Sequence, residues 1–159
     1  MKRNTRLSIW AVVIFALVGI QFIKKDPRNV QTTKLPTDIS NLYTVPDDVE
    51  SVLQRSCYDC HSNNTDYPWY INVQPAAMFL EGHINDGKRH LNFSDFGSYD
   101  KKRQLKKAED IKEEMERDGM PLKSYTILHK GTKLNAHERA LLTGWANDLI
   151  SEINLTQIK

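Results

Sequence analysis

The sequence predicts an all-α domain behind a single N-terminal transmembrane helix. Three observations carry that reading. Apolar residues recur at helical spacing from Pro46 onward, no alternating strand run or Asn-Gly hairpin interrupts them, and 17 consecutive residues near the N-terminus lack charge. With 159 residues, 40% hydrophobic and 26% charged, the chain has room for one compact domain plus some extra sequence. It contains no internal repeats or low-complexity tracts.

The uncharged stretch is Leu7 to Ile23, LSIWAVVIFALVGIQFI, with Lys2, Arg3 and Arg6 before it and Lys24 and Lys25 after it. As a helix it spans roughly 25 Å, against a hydrocarbon core of about 30 Å. A cleaved signal peptide has a shorter apolar core and a small-residue exit. This run instead leaves through Gly19, Ile20, Gln21, Phe22 and Ile23 into two lysines, so residues 1–25 are expected to be an uncleaved membrane anchor. Three Lys/Arg residues precede the run and three, Lys24, Lys25 and Arg28, follow it closely, which leaves its orientation open. These cations also account for the formal charge of +2. Without residues 1–25 the chain holds 17 basic and 20 acidic residues, a net of −3, which argues against nucleic acid as a partner. Residues 26–45, with Pro27, Pro36 and many small polar side chains, read as a tether.

Pro46, Asp47 and Asp48 suit a helix N-terminus, and Val49, Val52 and Leu53 share a face that leads to Cys57. A second helix is expected from Pro75 or just after it to His90, weakened near Gly82 or Gly87. Ser98 to Asp118 is the clearest amphipath. Leu105, Ala108, Ile111 and Met115 make its apolar stripe, charges of both signs fill the rest, and Gly119 and Pro121 end it. Asn135 with Glu138 makes a capping-box pattern before a final helix on which Leu141, Trp145, Leu149 and Ile153 step by four. The domain is thus expected over residues 46–153, with 154–159 as a tail.

Both cysteines of the chain fall in Cys57-Tyr58-Asp59-Cys60-His61. Cys-x-x-Cys-His is the attachment pattern of a c-type haem: the thiols add to the two vinyl groups as thioethers, and the adjacent histidine ligates iron. Two intervening residues let both sulfurs reach neighbouring vinyls from one turn. A thioredoxin-like dithiol would need a βαβ context, and a zinc site a second CxxC or a paired H-x3-H; neither is present.

CYDCHSNNTDYPWY, GHINDGKRHLNFSDF and MPLKSYTILH, in that order, resemble the bacterial family of short haem-binding domains with one CxxCH, usually preceded by a membrane segment. The similarity covers about residues 46–150. Lys130, Gly131 and Thr132 depart from it, standing where a more proline- and alanine-like run is expected. More distantly the chain resembles class I cytochromes c, all-α folds in which a Met-Pro before the last helix supplies the second axial ligand. Gly119-Met120-Pro121, 59 residues after His61, stands in the matching place. The resemblance also implies thioether formation on the outer side of the membrane, which would orient the anchor with its N-terminus inside.

Taken alone, Met120 reads as an apolar residue packing back on a helix stop, but beside Cys-x-x-Cys-His, and before a proline that favours an extended backbone projecting it away, it is expected to be the second iron ligand. His83 and His129 lie in blocks that carry the resemblance and are the next candidates for the sixth iron position. His90 competes less well, and His137 least, among polar neighbours on the last helix. Eight aromatics from Tyr58 to Tyr99 offer either haem-pocket walls or ordinary core. Pro75, or else Pro68, is expected to offer its carbonyl to the free ring N–H of His61. The function expected from these readings is one-electron transfer by a mono-haem c-type cytochrome. It would be anchored in the inner membrane with its haem domain in the periplasm, serving redox partner proteins in or near that membrane. The alternative is a haem peroxidase, or a redox or gas sensor, with an open sixth position.

Overall fold

The computed structural model describes residues 3–156, and every extended element among them is helical. The α-helices are α1 (Arg3–Gly19), α2 (Ile39–Leu42), α3 (Asp47–Ser56), α4 (Tyr58–His61), α5 (Ala76–His90), α6 (Lys101–Glu116), α7 (Lys123–Leu128) and α8 (Ala136–Leu155). Short 3-10 turns cover Ile20–Phe22, Trp69–Asn72 and Phe93–Ser98.

The long amphipaths form with two shifts: Leu105 of α6 and Leu141 of α8 are only half-buried, and Gln104 and Leu142 take the buried places. Ala108, Ile111 and Met115 of α6 are buried against Leu142, Trp145, Leu149 and Ile153 of α8, and α3 adds Val49, Val52 and Leu53 to the same core. One polar residue sits among them: Gln104 of α6 accepts from the Tyr43 hydroxyl and donates to the Tyr99 carbonyl at 2.9 Å, so its burial is compensated. A second, smaller core of Ile71, Ala77, Leu80 and Ile84 lies under α5. Cys57 packs on the first core and Cys60 on the second, so the motif bridges the two.

Helix α6 ends differently from the expectation. Arg117 caps it and Asp118, not Gly119, takes the left-handed conformation, at φ 55°. Aspartate tolerates that region better than most residues, and Arg139 of α8 holds its carboxylate at 2.5 Å. Gly131, at φ 86°, makes the turn in the segment that departs from the family pattern, and the buried Thr132 closes it with a 2.7 Å bond to the His129 carbonyl.

The N-terminal expectations need correction. Among the described residues no helix is long and apolar enough to cross a membrane, which overturns the spanning segment and, with it, the placement at the inner membrane with a periplasmic domain. The uncharged run does not stay one helix: α1 stops at Gly19 and Ile20–Phe22 tighten into a 3-10 turn. There the Gln21 side chain exchanges two hydrogen bonds with the Gln74 backbone, at 3.0 and 3.1 Å, fastening the run's end to the domain. Met1, Lys2 and residues 157–159 of the expected anchor and tail lie outside the described residues. The tether is also packed: Ile39 and Tyr43 enter the main core, and Asn29 bonds to Ser62, Thr65 and Lys88.

The capping box at α8 forms in full, with Glu138 N–H on Asn135 Oδ1 and Asn135 N–H on Glu138 Oε2, both at 2.9 Å. Glu138 also takes Arg55 of α3 at 2.6 Å, and the Asn135 backbone, with Arg55 assisting, holds its carboxyl below the usual glutamate value. Asn135→Ala should therefore cost about 1 kcal/mol, or a melting temperature lower by about 2–4 °C. A lowered folded-state pKa contributes stability above the unfolded glutamate value of about 4.3 and loses it as pH falls through the folded value. Glu138→Gln should accordingly be less stable than wild type at neutral pH and converge on it in acid, as thermal melts across that range will show.

Candidate functional site

Cys57 closes α3, its N–H reaching the Leu53 carbonyl at 2.8 Å. The chain then turns at once, because the N–H groups of Cys60 and His61 both return to the Cys57 carbonyl, at 3.2 and 3.0 Å. That single turn brings Cys57, Cys60 and His61 to one cavity wall. The residues between the cysteines brace it. Tyr58 donates to Glu50 at 2.7 Å and leans on Phe93, while Asp59 accepts the Tyr125 hydroxyl at 2.6 Å and the Asp66 N–H at 2.9 Å. Burial, and then the Asp59 carboxylate, keep the Tyr125 phenol protonated well above its ordinary range.

The last turn of α5 lies against this motif. A Cβ on Gly87 would overlap the Cys60 carbonyl oxygen and come within 3.0 Å of the Cys60 Cβ, so only glycine permits the approach. Leu91, which caps α5, then presents its carbonyl to His61 Nδ1 at 3.0 Å. A carbonyl can only accept, so Nδ1 carries the proton and Nε2 keeps a bare lone pair. Burial lowers the His61 pKa, against the opposing pull of the Leu91 and Gly87 carbonyls, and favours the neutral ring. Leu91 takes the role expected of Pro75 or Pro68; Pro75 instead caps the start of α5.

The cavity measures about 590 Å³. Apart from Ser56 its buried lining is apolar, from Leu53, Phe93, Ile111, Met115 and Leu142, and charged side chains of α5 and α6 stand around its exposed part. Met120 also lines it, half-buried after the α6 stop. Neither cysteine is in a disulfide, and burial pushes the Cys57 thiol up to about 12 and the Cys60 thiol up to about 11. A redox dithiol or a zinc thiolate is activated by the opposite shift. Among the described residues no group of three or more His, Cys, Asp or Glu side chains is arranged to hold a metal ion.

A helical domain that walls an apolar cavity with two free thiols and an imidazole of fixed tautomer is a scaffold for a large flat cofactor. The profile of the haem-binding domain family matches residues 15–148, and the chain belongs to that family. No curated protein and no solved structure matches it. The residues present fit haem. The volume lies in the range of about 300–1,000 Å³ usual for ligand sites, the His61 ring in the lining keeps one nitrogen without a proton, and the buried Ser56 hydroxyl has no partner among the described residues.

Four predicted site residues, Cys57, Cys60, His61 and Met120, meet at this one cavity. His83 and His90 line it as well, whereas His129 does not. Its Nε2 meets the Tyr70 hydroxyl at 3.1 Å, its Nδ1 meets the Tyr125 carbonyl at 3.0 Å, and its ring stacks on Tyr125. His137 is exposed on α8. Of the eight aromatics between Tyr58 and Tyr99, Phe93 alone lines the cavity; Phe96 is core and Trp69 is exposed. Tyr125, Leu91, Ser56 and Gly87 were not singled out as site residues, although Gly87 stood out as an apparent helix weakness.

The two glycines of α5 should respond oppositely to a methyl group. Gly87→Ala should cost about 1–3 kcal/mol by overpacking and lower the haem-to-protein ratio. At Gly82, where an added Cβ meets nothing within 4 Å, Ala should stabilise by about 0.5–1 kcal/mol and leave haem loading unchanged. Thermal melts and a haem assay on both variants check this.

Proposed function

We propose that the domain is a mono-haem c-type cytochrome that passes single electrons between redox proteins. Cys57 and Cys60 would hold the haem, and His61 Nε2 and the Met120 sulfur would ligate its iron. The observation behind this reading is that Met120, far from the motif in sequence, lines the same cavity as Cys57, Cys60 and His61. Attachment needs neither oxidant nor reductant: each S–H adds across a vinyl C=C, sulfur bonding to one carbon and hydrogen ending on its neighbour. Bound haem supplies a reversible ferric/ferrous couple.

The chain's own work is orientation and exclusion of water. Leu91 fixes the His61 tautomer and ring plane, so the ligand is offered without a proton to displace. The apolar lining keeps water from the buried part of the cavity, and a thioether donor favours the ferrous state and raises the potential. The presence of His83 and His90 in the cavity lining favours one second reading, in which the sixth position is taken by histidine or stays open for a peroxidase or sensor.

The wild-type protein should retain haem through denaturing electrophoresis, and Cys57→Ala combined with Cys60→Ala should abolish that retention. Haem that leaves the wild type intact in acidic acetone would overturn covalent attachment. The oxidised protein should be low-spin with the weak far-red sulfur-to-iron band. Met120→Ala should remove the band and open the site to cyanide and carbon monoxide, whereas His83→Ala and His90→Ala should keep it. Met120→His should lower the midpoint potential. A high-spin ferric wild type at neutral pH would favour the open-site reading.

A further inference from the structure

Ser56 is 5% exposed, lines the cavity, and its hydroxyl oxygen has no hydrogen-bond partner among the described residues. Serines in or beside helices usually satisfy the hydroxyl locally, on the carbonyl four residues back. Three others here do so: Ser51 on Asp47 at 2.7 Å, Ser62 on Tyr58 at 2.8 Å and Ser151 on Asn147 at 2.9 Å. Ser56 forgoes the same bond to Val52. A buried hydroxyl left unpaired costs about 1–3 kcal/mol, and alanine would remove the cost without opening a large hole. The buried cavity wall around it is otherwise apolar, from Leu53, Phe93, Ile111, Met115 and Leu142.

We infer that the Ser56 hydroxyl is a hydrogen-bond donor kept for the bound haem, where it meets an electron-rich acceptor: a propionate oxygen, or the sulfur of the axial methionine. This rests on the reading of the cavity as the haem seat. Either acceptor gives the same electronic consequence. A donated hydrogen bond withdraws charge from the haem and its ligands, so it favours the ferrous state and holds the reduction potential up. Ser56 is thus a tuning residue that acts through the cofactor.

The test uses Ser56→Ala and the shape-matched pair Ser56→Thr and Ser56→Val, in the full chain, with and without haem. Without haem, Ala should be at least as stable as wild type and Val at least as stable as Thr, since the hydroxyl then has no partner. With haem, Ala and Val should have lower midpoint potentials than wild type and Thr. The shift should be about fivefold in the electron-exchange equilibrium where the acceptor is the uncharged sulfur, the worth of one neutral hydrogen bond, and larger where it is an ionised propionate. A shift of the far-red band in Ala identifies the sulfur as acceptor, and a shift of the propionate bending mode in resonance Raman spectra identifies the propionate. Equal potentials in haem-loaded proteins with unchanged coordination overturn the inference alone. So does a loss of stability in haem-free Ala that Thr restores and Val does not. A wild type that takes up no haem overturns the cavity reading and this inference with it.

Discussion

How closely the last turn of α5 approaches the Cys57–His61 turn decides the rest of the site. Gly87 allows the two backbones to touch at Cys60, and Leu91, one helical turn later, delivers the carbonyl that orients His61. These are two consequences of one contact. Were α5 held off by even a methyl group, the Cys60 wall and the His61 tautomer would change together. The motif itself supplies only the local bonds of its turn, from Cys60 and His61 to the Cys57 carbonyl. Its outer faces are braced from elsewhere, through Glu50 on Tyr58 and Tyr125 on Asp59. The residues between the cysteines are free in identity as far as thioether spacing is concerned, yet in this chain they carry the tertiary bonds that keep the spacing.

The cavity lies where two small cores meet. Cys57 belongs to the larger one and Cys60 to the smaller, and α5 reaches the larger chiefly through the motif and the segment after His90. A group bonded to both thiols would therefore tie the two cores together. Any occupant that binds the folded state alone adds stability by mass action, and a covalent one cannot dissociate at all. The charged surroundings of the cavity fit the same division. Lys107 pairs with Asp110 at 2.9 Å and Arg117 pairs with Glu114, but Asp59, Asp86 and Glu113 also line the cavity, so its more exposed part carries an excess of carboxylates while the buried part carries no charge.

Patterns that act within one element were legible in the sequence. The α8 capping box and the α6 stripe depend on neighbours a turn apart, and the structure forms the box and buries Ala108, Ile111 and Met115 of the stripe. What escaped depends on contacts between distant segments. Nothing local marks Leu91 as the partner of His61, because any carbonyl can serve and only the path of α5 selects it. The tether looked free because its large apolar residues are few, but Ile39 and Tyr43 are enough to bury it. Gly87 was visible only as a break in helix propensity, since its reason is Cys60, 27 positions earlier. The apolar N-terminal run shows the reverse error. Its composition suggested one uninterrupted helix, whereas the Gln21 and Gln74 amides fasten its end to the domain.

The two sides of the proposed iron site are fixed by different parts of the fold. His61 depends on α3, α4 and α5. Met120 depends on where α6 stops, and that stop is set by Asp118 in a left-handed conformation held by Arg139. Arg139 stands on α8, which also packs along the buried stripe of α6. The end of α6 is thus tied to α8 both through its apolar face and through one ion pair beyond its cap. This arrangement places the Met120 segment by the packing of α6 on α8, and Tyr125, just after it, ties the same segment to the motif turn through Asp59. A sixth ligand held in that way does not need haem to find its position. His83 also has a fixed backbone, within α5, and its Nδ1 is bonded to the Phe79 carbonyl, so backbone support alone does not choose between the two, and the choice falls to the donor atom, thioether against imidazole.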